Sequence, residues 1–383
     1  MDYLLNEREI MIRDLARRIA KEKIEPVRAH YDETEEFAWE IMKVLAESDI
    51  FGIYIPEKYG GLGGGVTELA IATEELSRAC GSIALGFAAT ALGTYPILLF
   101  GNEDQKKKYL PDIARGKKLA AFCITEAEAG SDVGSIKTNA RKEQDHYVLN
   151  GTKQWITNAG EADIYTVVAL TDKTKGARGA SAFIVEKGTK GMEFGAKEKK
   201  LGIRSSATRE VIFTECRIPK ENILSKEGMG FVIAMKTFDN SRPGVAAQAV
   251  GIAQGALDLA VEYARNRRQF GQPISSFQGI QFMLADMATQ IESARALVLA
   301  TARMIDAGSK DIAKESSMAK LWASDVAMKV TVDAVQIFGG YGYMREYPIE
   351  KYMRDAKITQ IYEGTNQIQR SIIASHLIKE GRK

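Results

Sequence analysis

The sequence predicts an α+β chain in three parts: an N-terminal all-α domain, a middle β-barrel or β-sandwich domain, and a C-terminal four-helix bundle. Three observations predict it. Apolar residues recur at three- and four-residue spacing up to about residue 113, short β-branched runs alternate between about 119 and 223, and helical spacing returns after Gly228. The boundaries fall at residues 1–117, 118–225 and 226–383. At 383 residues the chain exceeds the usual size of a single core, so several packed layers are expected on length alone.

In the first zone Ile10, Ile12, Leu15, Ile19 and Ile24 outline one helix, with Pro26 near its end, and Ile41, Val44 and Leu45 outline another. Tyr59-Gly60-Gly61-Leu62-Gly63-Gly64-Gly65 reads as a flexible turn between helices. It is not a dinucleotide fingerprint, because no strand leads into it and no βαβ unit surrounds it.

In the middle zone the strand candidates are Tyr147–Leu149, Trp155–Thr157, Tyr165–Leu170, Ala182–Val185 and Glu210–Phe213. Asn150-Gly151 and Lys190-Gly191 are turn signals between them. No long helices alternate with these strands, which excludes a doubly wound α/β fold. The third zone offers four helices, over Ala246–Arg265, Gln281–Ala307, Ser316–Phe338 and Gln367–Lys379, joined closely enough for an antiparallel bundle.

Composition narrows the function classes. The 52 basic and 50 acidic side chains leave a formal charge of +2, which gives no electrostatic reason for a nucleic-acid or anionic-membrane partner. Cys80, Cys123 and Cys216 are isolated and His30, His146 and His376 lie far apart, so neither a disulfide framework nor a metal site is indicated. The first residues lack the features of a secretory or transit peptide, and no apolar run reaches the eighteen or so residues of a membrane span. The expected location is the cytoplasm.

Glu363 is the leading candidate for chemistry. It follows Ile361 and Tyr362 and precedes Gly364, a setting in which a carboxylate can be desolvated at a break between helices. Burial without a cation raises a carboxyl pKa and suits the group to general-base work near neutrality. Taken alone, a Glu beside a Gly is more often a solvated surface residue. Gly130-Ser131-Asp132 reads as a capped or Asx-type turn. Trp155, with Thr157 close by, can be either core or one wall of a site for a planar heteroaromatic ring.

Together these segments resemble the signatures of the acyl-CoA dehydrogenase family, and the likeness runs from end to end. It includes Phe122–Asp132, Lys200-Leu201-Gly202-Ile203-Arg204, Arg267–Gly271, Gln336–Gly342, Met353–Lys357 and Glu363-Gly364-Thr365. The resemblance implies the family's three-domain fold, usually as a homotetramer, with FAD held between the β-domain and the bundle. It places Ile124, Thr125, Trp155 and Thr157 against the isoalloxazine ring. Thr365 and Gln367 would touch the dinucleotide from the same subunit. Arg267, Gln269, Phe270, Gln336, Gly339 and Gly340 would touch it from a neighbouring one.

Ser131, Asp239, Arg242 and Gly364 match acyl-CoA contacts. Glu363 matches the base that removes the α-proton while the β-hydrogen leaves as hydride to the flavin, and its own amide matches a donor to the thioester carbonyl. Some branches carry the base just before the equivalent of Arg242; here that residue is Ser241, which cannot serve. Most members read Thr-Glu-Pro before the turn, whereas this chain reads Thr125-Glu126-Ala127. The implied activity is dehydrogenation of a short- or medium-chain acyl-CoA, nearest the butyryl-CoA dehydrogenases, with electrons passed to an electron-transfer flavoprotein. Reverse operation as an enoyl-CoA reductase and a non-catalytic flavoprotein scaffold are the alternatives. Gly86, Ala88, Ala89, Ala91 and Gly93 suggest room for a branched or alicyclic acyl group.

Overall fold

The computed structural model describes residues 3–380; Met1, Asp2 and the last three residues of the C-terminal domain lie outside it. Helices come first: α1 (Glu7–Ile19), α2 (Arg28–Thr34), α3 (Trp39–Glu47), α4 (Val66–Phe100) and α5 (Glu103–Ala114). Asn6 caps α1 by accepting from the Glu9 amide, and the Glu9 side chain returns the bond to the Asn6 amide. A π-helical turn, Ala20–Ile24, extends α1, so Ile24 stays on the buried face with Ile12 and Ile19. Helix α4 bends at Cys80, whose backbone is extended (φ −162°).

The Tyr59–Gly65 segment is packed and hydrogen-bonded against Gly52–Ile55. A Cβ on Gly61 would collide with the Ile55 backbone, and the Leu62 and Gly63 amides bond to Gly52 and Ile55. The glycines are there for close approach.

The middle domain is one curled sheet of β1 (Ala120–Cys123), β2 (Asn139–Lys142), β3 (His146–Thr157), β4 (Ile164–Leu170), β5 (Ala180–Glu186), β6 (Met192–Phe194) and β7 (Thr208–Pro219). The order is β1-β4-β2-β3-β7-β6, with β5 on β4. Asn150-Gly151 does not turn the chain. It lies inside β3, where the register against β7 slips between Leu149 and Gly151. A bulge needs the same permissive backbone as a turn, and Gly151 has φ +142°.

The C-terminal domain contains α6 (Gly230–Asn266), the ribbon β8 (Arg268–Gln269) and β9 (Gln272–Pro273), α7 (Gln278–Asp306), α8 (Ala313–Phe338), α9 (Ile349–Thr359) and α10 (Asn366–Glu380). The four expected bundle helices are α6, α7, α8 and α10. Helix α6 starts sixteen residues earlier than its periodicity suggested, because Pro243 and the polar Asp239–Arg242 run interrupt the apolar pattern without ending the helix. Helices α4 and α6 are each long and apolar enough to cross a membrane, contrary to the expectation above. Their most apolar windows are 72% and 78% buried within the fold, and the two helices pack on each other along the seam between the domains.

Candidate active site

The site lies where α4, β1, β3, α6 and the α9–α10 loop converge. A cavity of about 200 Å³ there is lined by Ile124, Thr125, Ser131, Trp155, Thr157, Arg242, Glu363 and Gly364 among the expected residues. Its apolar walls come from Leu69, Leu85, Leu92, Tyr95, Phe122, Phe238 and Val245. Ala88, Ala89 and Ala91 also line it. Gly86 and Gly93 do not add room: a Cβ on Gly86 would meet Met42 of α3, and one on Gly93 would lie 2.5 Å from the Ala121 amide of β1. Those two glycines let α4 approach its neighbours.

The α9–α10 loop fixes Glu363. Helix α9 ends at Thr359 and α10 begins at Asn366, and between them Glu363 (φ +54°) and Gly364 (φ +94°) are both left-handed. A non-glycine residue in that region stores strain and needs outside support. Gln369 Nε2 donates to the carbonyls of Glu363 (3.1 Å) and Gly364 (2.9 Å). Lys320 Nζ, reaching across from α8, donates to the Gly364 carbonyl at 2.8 Å and to Asn366 Oδ1 at 2.8 Å. Arg242 approaches the Glu363 carbonyl at 3.5 Å. Tyr362 donates its hydroxyl to Gln248 on α6.

The Glu363 carboxylate accepts a 2.5 Å hydrogen bond from Ser241 Oγ. Burial drives its pKa above the ordinary carboxylate value; the Ser241 bond and the charges of Arg242 and Lys320 pull the other way without cancelling the rise. Among the described residues the Glu363 amide has no hydrogen-bond partner, so a donor is free beside the carboxylate.

The opposite wall belongs to the sheet. Thr125 and Ile124 follow β1, and Trp155 and Thr157 end β3. Trp155 is left-handed (φ +54°) and 56% exposed, which turns its indole out of the core and into the cleft. Lys153 is fully buried behind it and ties the two segments together, donating to the Ile124 carbonyl at 3.0 Å and to Glu126 at 2.8 Å. Glu126 also accepts from the amides of Lys137 and Thr138. Burial alone would raise the Glu126 carboxyl, but Lys153 and these donors hold it below the ordinary value. The Ala129 amide bonds the Glu126 carbonyl at 3.0 Å, so the turn that leads to Ser131 is closed without the proline.

Not every expected residue reaches this cavity. Asp239 is buried behind Arg242, 3.6 Å from its guanidinium, and does not line the wall. Thr365 is half-buried next to Gly364, and Gln367 is exposed on the first turn of α10. Arg267, Gln269, Gly339 and Gly340 line a separate surface cavity of about 560 Å³. Phe270 beside it is 93% exposed, and Gln336 is exposed at the end of α8. Sequence reading missed the supporting shell, Lys320 above all. The signal was present: on α8 the stripe Ser316, Ala319, Lys320, Ala323, Ser324, Ala327 is small or apolar except for that lysine, and all of it is buried.

Comparison with known proteins matches three family models in chain order: the N-terminal (residues 6–117), middle (121–216) and C-terminal (228–378) domains of acyl-CoA dehydrogenase. The chain is 47% identical to the short-chain specific acyl-CoA dehydrogenase of Clostridium acetobutylicum, covering 99% of this chain and 100% of that protein. It superposes on butyryl-CoA dehydrogenase from Megasphaera elsdenii with a TM-score of 0.96 at 47% identity, covering 99% of this chain and 100% of that one. A chain in the structure of the electron transferring flavoprotein of Acidaminococcus fermentans, solved in work on flavin-based electron bifurcation, gives a TM-score of 0.96 at 49% identity over 98% and 99% of the two chains.

Proposed function

The chain belongs to the acyl-CoA dehydrogenase family, and from that premise we propose that it oxidises a short acyl-CoA thioester to the 2-enoyl-CoA, with Glu363 as the base. The family's cofactor is FAD. We propose that electrons leave through an electron-transfer flavoprotein, in keeping with the likeness to the Acidaminococcus chain.

The observation that carries the reading is the pairing at Glu363 of a carboxyl group raised by burial with an unpartnered amide of the same residue. The residues fit the cofactor. Trp155 presents an exposed aromatic face at the cleft, which suits a flat ring. Arg267 has no carboxylate partner among the described residues, its guanidinium lying 5.3 Å over the Tyr341 ring. A Cβ on Gly339 or Gly340 would meet nothing, which leaves the backbone open to close approach by a pyrophosphate. When bound, FAD supplies the acceptor for the hydride lost from the substrate's Cβ.

The chain's own residues do the remainder. Glu363 takes the α-proton onto a carboxylate oxygen, and its amide donates to the thioester carbonyl, which stabilises the charge that develops there. The Ser241 hydroxyl orients the carboxylate. The apolar walls exclude water and strengthen each of these interactions. The outward-facing group around Arg267, Phe270 and Gly339 is read as a contribution to a neighbouring subunit's FAD in a homotetramer.

Anaerobic titration with a panel of acyl-CoA thioesters tests the reading. Bleaching of the flavin by butyryl-CoA, falling as the chain lengthens, is the expected result. A yellow protein that no thioester bleaches would overturn it.

A further inference from the structure

Lys320 is fully buried in α8, and among the described residues no carboxylate lies within ion-pair distance of its ammonium. Among the described residues its ammonium donates to two acceptors just after Glu363: the Gly364 carbonyl and the side chain of Asn366, the first residue of α10. Asn366 is held in turn by Ser324, one turn along α8, and by Asp325. A buried cation without an ion-pair partner costs several kcal/mol. We propose that Lys320 is a positioning residue for the base: its ammonium pins the left-handed Glu363–Gly364 turn, and its charge keeps Glu363 ionised and ready to accept the substrate's proton.

The charged groups around it agree with that role. Glu363 faces it from the loop. Arg242 faces it from α6, already engaged by Asp239. Asp325 lies on α8 itself and is taken up by Arg370 of α10. Among the described residues Glu363 is therefore the neighbouring carboxylate without a cation of its own in direct contact. Burial pulls the Lys320 ammonium down to about 7, and the charge of Glu363 opposes that fall. The proposal rests on the assignment of Glu363 as base.

The test uses the FAD-loaded full chain and butyryl-CoA, following the rate of flavin bleaching against pH in the wild type, Lys320→Met, Lys320→Gln, Lys320→Arg and Glu363→Gln. Lys320→Met should slow bleaching at saturating substrate about tenfold or more, with the substrate dissociation constant changed by less than about threefold. Its pH–rate midpoint should rise by about one unit, because a nearby positive charge that favoured the carboxylate has gone. Lys320→Gln keeps a donor without the charge and should show the same upward midpoint with a smaller loss of rate. Lys320→Arg should keep the wild-type midpoint.

Unmoved midpoints in both neutral variants, whether or not the rate falls, would show a mere structural prop and overturn the proposal. Failure of both to fold while the arginine variant also fails would do the same. If only the Met variant fails to fold, Lys320→Gln decides by the same two readouts. Glu363→Gln separates the layers: wild-type bleaching in that variant removes the base assignment itself. Its loss, with unmoved profiles at Lys320, removes the Lys320 role alone.

Discussion

Two buried lysines, one on each wall of the cleft, solve the same mechanical problem with different electrostatics. Lys153 in the sheet and Lys320 in the bundle are both fully buried, and each donates to a main-chain carbonyl of a loop that forms the site, Ile124 at 3.0 Å and Gly364 at 2.8 Å. Lys153 has its own carboxylate, Glu126, at 2.8 Å. Lys320 has only neutral acceptors. The sheet wall is thus neutralised where it stands and behaves as a fixed platform. On the bundle wall the balancing charge is Glu363, so the group that stabilises the loop also tunes the chemistry.

The strongest way to break this contrast is to remove the carboxylate on the bundle side. Glu363→Gln should retain flavin and lose roughly 10²–10⁴-fold in the anaerobic bleaching rate, the scale expected for a positioned general base. Stopped-flow absorbance checks it. A loss of less than tenfold would place the chemistry elsewhere.

On the sheet side the expected damage is to stability. Lys153→Met leaves Glu126 buried without its cation and should cost about 3–5 kcal/mol in urea unfolding. The pH dependence has a definite sign. Glu126 is held below its ordinary value of 4.5 in the native state, so the stabilisation it contributes is complete above 4.5 and is lost as pH falls through the lower native value. A Glu126→Gln variant should therefore lose part of the wild-type acid sensitivity in that window. Equal acid sensitivity in the two proteins would dissolve the contrast between the walls.

Ser241→Ala sharpens the comparison at smaller scale. Its hydroxyl stabilises ionised Glu363 through the 2.5 Å bond. Removing it should raise the pH–rate midpoint by about one unit, equivalent to about 1–2 kcal/mol, with the high-pH plateau kept within a fewfold. A midpoint that moves down would contradict the assigned direction of the bond. The smallest effect belongs to Ala127. It stands at the second position of the Glu126–Ala129 turn, where proline is favoured. Ala127→Pro should gain about 0.4–1 kcal/mol by restricting the unfolded chain, readable as a rise in urea midpoint with unchanged bleaching.

Much of this site could be read from the residues. Glu363, Ser131 and Trp155 could be weighed from their own chemistry, the family resemblance added Thr125 and Arg242, and the structure gathers all five around one cavity. The glycines were less legible. Gly86 and Gly93 read as spare room because sequence shows that a side chain is missing, not which neighbour it is missing for. Asn150-Gly151 read as a turn because a bulge and a turn draw on the same backbone freedom. The supporting lysines were the hardest to read, since a lysine in a sequence is solvated by default; for Lys320 the signal was the small and apolar stripe around it on α8.

Taken by itself, the sequence determined the order of helical, β and helical zones, and its resemblance to the family singled out Glu363 as the candidate base. The order of zones follows from local periodicity and the resemblance from short motifs along the chain, and neither depends on distant partners. Only the tertiary structure decided that Glu363 is left-handed, that its amide is free, that Arg267 and Phe270 face away from the cavity, and that Lys320 is buried beneath the loop. Lys320 meets Gly364 across a separation of 44 residues and Lys153 meets Ile124 across 29. The cost of burying a charge, and so its meaning, is set by what the fold brings to it.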